Sequence, residues 1–96
     1  MSDEVLARRV RPNPDVVSSR VGDAGVLVHL RTNRIFELNS TGVRIWELLV
    51  EGRGIADVER ILRQEFEGDH DQLREDLLRL VDALAGESLI HEDETG

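Results

Sequence analysis

The chain has 96 residues, 40% apolar and only 3% aromatic, which suits one small domain around a modest core. The absence of cysteine excludes disulfides, thiolate metal sites, cysteine nucleophiles and self-ligated iron–sulfur clusters. Net charge is -8, from 12 arginines and 20 acids; ten of the acids lie in residues 67–96 against two arginines, which disfavours binding a phosphate backbone there.

Residues 1–15 read as a flexible, charged lead-in in which Pro12 and Pro14 favour extended backbone. The lead-in lacks an apolar stretch of signal-peptide length, and no run nears the roughly 18 apolar residues that span a bilayer. A soluble, cytoplasmic protein is expected. Val16–Val21 suggests a short edge strand, and Gly22 to Gly25 a turn. Val26, Val28 and Leu30 alternate with Leu27 and His29, the period of a strand. Arg31-Thr32-Asn33 can close a hairpin, since Asn33 tolerates left-handed geometry. A further strand, Arg34–Leu38, points Phe36 and Leu38 one way and Ile35 and Glu37 the other.

The period then changes to 3.6. Asn39 or Ser40 can cap a helix running to about Glu51, with Gly42, Ile45, Trp46 and Leu49 on one stripe and Gly52 as its stop. A second helix, about Ile55 to Phe66, carries Ile55, Val58, Ile61, Leu62 and Phe66 on its apolar face, and Glu59–Arg63 at ion-pair spacing. In the third, Asp69 with Gln72 resembles a capping box, Glu75–Arg79 repeats the charge spacing, and Gly86 ends the helix. Leu73, Leu77, Leu80 and Leu84 form its core stripe; Leu78, Val81 and Ala85 form a second apolar line beside it. Leu89 and Ile90 can pack back, and residues 91–96 form an acidic tail. Phe36, Trp46 and Phe66 are the expected aromatic anchors of the core. Strands first and then three helices give an α+β domain over residues 16–90.

The stretch Gly25-Val-Leu-Val-His-Leu through Arg34-Ile-Phe-Glu-Leu-Asn39, then Thr41-Gly-Val-Arg-Ile-Trp-Glu-Leu-Leu49, resembles the PqqD-like family. So does the helix pair that follows, with Asp76-Leu-Leu and its Gly86…Leu89 ending. The resemblance covers roughly residues 16–90. It implies a winged helix-turn-helix, a three-stranded antiparallel sheet followed by three helices, that acts as a recognition element for ribosomally made precursor peptides. It further implies that the leader segment binds as an added strand beside Arg34–Leu38, against the Asp71–Ala85 helix. Stand-alone members serve lasso-peptide proteases, radical enzymes that modify peptides and the pyrroloquinoline quinone pathway. A free-standing chain of this length looks most like the lasso type, with a leader protease or cyclase as partner; the hairpin and the Trp46 helix look like the broader family rather than the pyrroloquinoline quinone member.

Strand addition needs an open edge plus pockets for alternate side chains. The candidate site is therefore Arg34, Ile35, Phe36 and Glu37 on the strand, with Arg74, Leu77, Leu78, Val81 and Asp82 on the helix. Leu78 and Val81 are the apolar receivers; Arg34, Glu37, Arg74 and Asp82 would set register. Against this stand plain readings: Phe36 and Leu77 as core, Leu78 and Val81 as ordinary packing, Ile35 as an exposed sheet residue, and the charged four as solvated surface.

Catalytic chemistry finds little purchase. His29, His70 and His91 lack metal-site spacing, Ser40-Thr41 is a helix cap with no base nearby in sequence, and lysine is absent. Gly52 and Gly54 fall between helices and do not open a phosphate loop. Neither a cofactor nor an enzymatic activity is expected, nor binding to nucleic acid or membrane. The alternative, a winged-helix DNA-binding regulator, has the right elements but the wrong charge. Whether the protein is a monomer or a dimer stays open.

Overall fold

The computed structural model describes residues 9–92. Its elements in chain order are β1 (Val10–Pro12), β2 (Val16–Val21), β3 (Ala24–His29), β4 (Arg34–Leu38), α1 (Ser40–Val50), α2 (Ile55–Glu65), α3 (His70–Gly86) and β5 (Ile90–Glu92). Strands β2, β3 and β4 form an antiparallel sheet in that order, and β1 pairs with β5 in a separate two-stranded sheet. The domain is an α+β winged helix-turn-helix.

Turn chemistry sets the sheet. Gly22, at φ 64°, opens the two-residue loop that lets Val21 face Ala24. Asn33, at φ 61°, takes the left-handed position at the end of the β3–β4 loop, and its N–H donates to the His29 carbonyl at 2.8 Å. The register aligns Val17, Val28 and Ile35 across the three strands, and Ser18, Leu27 and Phe36 beside them. Leu27 is fully buried and Ile35 is 68% exposed, so the sheet has one core face and one open face.

The helices follow their caps. Asn39 accepts from the Gly42 N–H at 2.8 Å to start α1, and Asp69 accepts from Asp71 and Gln72 to start α3. The reciprocal half of the expected capping box is not made: Gln72 donates its side-chain amide to Asp76 at 3.0 Å instead. Glu59–Arg63 forms at 3.3 Å, whereas Arg79 pairs with Asp76 rather than Glu75. Leu27, Ile45, Leu49, Ile55, Leu62, Leu77 and Leu84 make the centre of the core. Trp46 is buried as expected, while Phe36, Phe66 and Leu80 are only half-buried at its margin.

The two ends of the chain depart from a loose lead-in and tail. Val10 and Ile90 are buried at 3% each, and Val10 to Pro12 pair with Glu92 to Ile90. Asn13 extends this clasp, its main-chain N–H donating to the Leu89 carbonyl and its side chain to the Ser88 carbonyl. Each three-residue segment, Val-Arg-Pro and Ile-His-Glu, is too brief to show a strand period by itself; each becomes a strand by pairing with the other. The remaining residues of both predicted terminal segments, 1–8 and 93–96, lie outside the described residues.

Candidate peptide-binding groove

Antiparallel pairing lets each residue's main-chain groups point to one neighbour only, alternating along the strand. The Leu30 N–H donates to the Asp15 carbonyl at 2.8 Å, which fixes the phase: Leu30, Val28, Val26 and Ala24 face β2. Gly25, Leu27 and His29 therefore bond β4, where their partners are Leu38, Phe36 and Arg34. The alternate residues of β4, Ile35 and Glu37, turn their N–H and C=O groups away from the sheet. Because β4 is an edge, those groups are the ones an added strand would meet.

Beneath this edge lies a groove of about 390 Å³ between β4, the start of α1 and α3. Phe36, Leu38, Ile45, Leu80 and Ala83 supply its apolar lining, with Asp76 and Arg79 along the α3 rim. Gly42 lets α1 close in here: a Cβ at that position would stand 3.2 Å from the Leu38 side chain and 3.3 Å from the Asn39 oxygen. At the other end Arg34 crosses to Glu87, the residue capping α3, at 3.1 Å.

Of the residues expected from sequence, Phe36 and Glu37 line the groove, Ile35 contributes its edge main chain, and Arg34 closes one end. The α3 residues sit elsewhere. Leu77 is fully buried and Val81 is 4% exposed, so both are core. Arg74 turns to α2, reaching Glu59 at 3.5 Å. On a helix of 3.6 residues per turn Leu78 shares that shoulder, and the exposed Asp82 lies away from the core. The opposite shoulder, carrying Asp76, Arg79, Leu80 and Ala83, faces β4. An apolar second stripe does not say which side of a helix meets the sheet, and here it is the side facing α2 that is the more apolar. Leu80 is the signal the sequence offers: it sits on the far margin of the stripe from Val81.

His29 is buried at 3%, and its Nδ1 accepts from the Arg31 N–H at 3.2 Å, a bond that shapes the β3–β4 loop. Ser40 and Thr41 occupy the first turn of α1. Among the described residues no group of three or more His, Asp or Glu side chains is placed to hold a metal ion. Among the described residues no helix is long and apolar enough to cross a membrane.

Fold and groove together define a small winged helix-turn-helix domain with an open strand edge set over a helix-lined cleft. A family model described as coenzyme PQQ synthesis protein D (PqqD) matches residues 24–90, and the chain belongs to that family. Two solved structures are similar over nearly their whole length. One, described as TbiB1 in complex with the TbiA(beta) leader peptide, is 33% identical with a TM-score of 0.77, the match covering 84% of this chain and 94% of that one. The other, described as lasso peptide synthetase B1 complexed with the leader peptide, is 25% identical with a TM-score of 0.75, covering 86% and 98%. No curated protein sequence matches the chain.

Proposed function

We propose that this protein binds the leader region of a ribosomally synthesised precursor peptide, without catalysing a reaction itself, and delivers it in the cytoplasm to a processing or modifying enzyme. The lasso type, with a leader protease or cyclase as partner, is the reading favoured by similarity to two proteins described in complex with leader peptides. The observation that carries the proposal is the open β4 edge, with the main chain of Ile35 and Glu37 turned outward above the groove. A leader strand bonded there gains affinity from main-chain pairing, while its alternate side chains enter the cleft between Phe36 and Leu80. Asp76 and Arg79 offer both signs of charge at the rim to fix register.

No observation favours the DNA-binding alternative: α3 carries two arginines against four acids, a poor match to phosphates and base edges. The test is a fluorescence anisotropy titration with the leader half of the precursor peptide from the same locus, and a scrambled leader as control. Saturation at micromolar or tighter concentration, about -8 kcal/mol or better, is expected for the native leader alone. Equal behaviour of the two peptides would contradict the proposal.

A further inference from the structure

The sheet has a second open edge, and its geometry differs from that of β4. The phase that turns Val17, Ser19 and Val21 toward β3 turns the main-chain N–H and C=O groups of Ser18 and Arg20 outward from β2. Every residue of β2 pairs in unbroken register with β3, so the strand has no bulge; it contains no proline, and its one charged side chain, Arg20, is paired with Glu47. Its side chains on the open face are Val17, 48% exposed, then Ser19, then Val21, 67% exposed. That order reads the same in both directions.

We propose that the β2 edge is a self-association surface that takes the β2 strand of a second copy, antiparallel and centred on Ser19. In this register Ser18 and Arg20 of one copy exchange main-chain hydrogen bonds with Arg20 and Ser18 of the other. Val17 of each copy then faces Val21 of the other across a non-hydrogen-bonded position, where side chains approach most closely. A two-fold axis satisfies both copies with the same patch, as an isologous interface requires. A register shifted by one residue would set the valines against the opposite face, and among registers of the right parity only the one centred on Ser19 pairs Val17 with Val21 on both sides of the axis.

Charge opposes a second copy less at this edge than at the β4 edge. Helix α3 carries four acids against two arginines and lines the groove under β4, the edge of the sheet opposite β2. The single charge on β2, Arg20, is held by Glu47 of α1 at 3.4 Å on the helix side. Two molecules that each carry -8 thus meet through the sheet edge opposite the one beside acid-rich α3. Both β4 grooves stay open in the pair, so the proposal does not depend on leader binding.

Sedimentation velocity across a concentration series, with amide exchange read at Ser18 and Arg20, tests it without any peptide present. The expected result is a mass rising to twice the monomer's below about 1 mM, with slowed exchange at those two amides as the pair forms. Val17→Glu/Val21→Glu should abolish the rise, and Val17→Glu/Val21→Lys, which faces opposite charges in this register, should restore it. Both positions are exposed, so circular dichroism of each variant should match the parent. A monomer throughout the series would overturn the proposal, as would a dimer whose Ser18 and Arg20 exchange is unchanged. Protection of Ser18 and Arg20 by added leader peptide in a protein that stays monomeric would assign the edge to a peptide instead.

Discussion

Arg34, the first residue of β4, and Glu87, the cap of α3, meet at 3.1 Å and tie the two walls of the groove together at one end. The pair is largely solvated, with side-chain exposures of 66% and 35%, so its direct contribution to stability is small, about 0.2–1 kcal/mol. Its consequence is positional. Arg34→Ala and Glu87→Ala should each weaken leader binding by about two- to fivefold, and the double variant should lose little more than either, because coupled residues are non-additive. Additive losses in a double-mutant cycle of leader affinity would show that the two residues act separately.

Ile35→Pro should lower leader affinity about tenfold, the loss of roughly one main-chain hydrogen bond and the fit around it. The Ile35 N–H points off the sheet, so proline there removes no bond to β3, and an edge strand tolerates the ring. Ile35→Thr keeps the N–H and should bind nearly as the parent does. Equal affinity for Ile35→Pro and the parent would place the peptide away from this edge.

Leu80 and Leu78 separate the two shoulders of α3. Leu80→Glu puts a charge into the groove and should weaken leader binding by tenfold or more, about 1.4 kcal/mol. Leu78→Glu falls on the α2 side and should cost about 1–3 kcal/mol of stability by desolvating the carboxylate, while the folded fraction binds as before. Parallel urea denaturation and titration distinguish the two. Normal leader affinity in Leu80→Glu would move the binding surface.

Gly25 is where β3 passes under α1: a Cβ there would lie 2.8 Å from Cγ2 of Val43. Gly25→Ala should therefore destabilise the fold by about 1–3 kcal/mol, and adding Val43→Ala should recover part of the loss. Urea midpoints of the three variants check this, and a rise in stability on Gly25→Ala alone would contradict the close approach.

Acid should weaken the joint between α1 and α2. The Arg44 guanidinium donates to Glu65 at 2.7 Å and holds its carboxyl below the ordinary value of about 4.5; Arg53 and Arg60 hold Asp57 low in the same way. A depressed folded-state value gives stability that is present above the ordinary value and lost as pH falls through the folded one. Stability should decline below about pH 4.5, and Glu65→Gln should flatten that decline. An unchanged slope in Glu65→Gln, measured by denaturation from pH 7 downward, would show that this pair does not couple stability to pH.

Much of the architecture was legible because local signals agreed. The alternation through Leu27 and His29, the left-handed Asn33 and the Asn39 and Asp69 caps each recur in the structure where the pattern placed them. The open edge also follows from strand order, and its chemistry needs only main chain. The α3 wall was harder. Periodicity shows that Val81 and Leu78 adjoin the core stripe, yet it cannot tell the shoulder that packs toward α2 from the shoulder left open to β4. That choice is made by how the helices stack, and Arg74 reaching Glu59 records it. The β1–β5 clasp was hidden for a similar reason: its paired residues are about 80 positions apart, and neither strand is long enough to show a period.

Amide exchange, residue by residue, with and without saturating leader peptide at one protein concentration, decides whether the peptide joins β4. Strand addition at β4 predicts strong protection of the Ile35 and Glu37 amides, with little change at Phe36, whose N–H already bonds β3. Saturable binding that leaves Ile35 and Glu37 exchanging as in the free protein would contradict it.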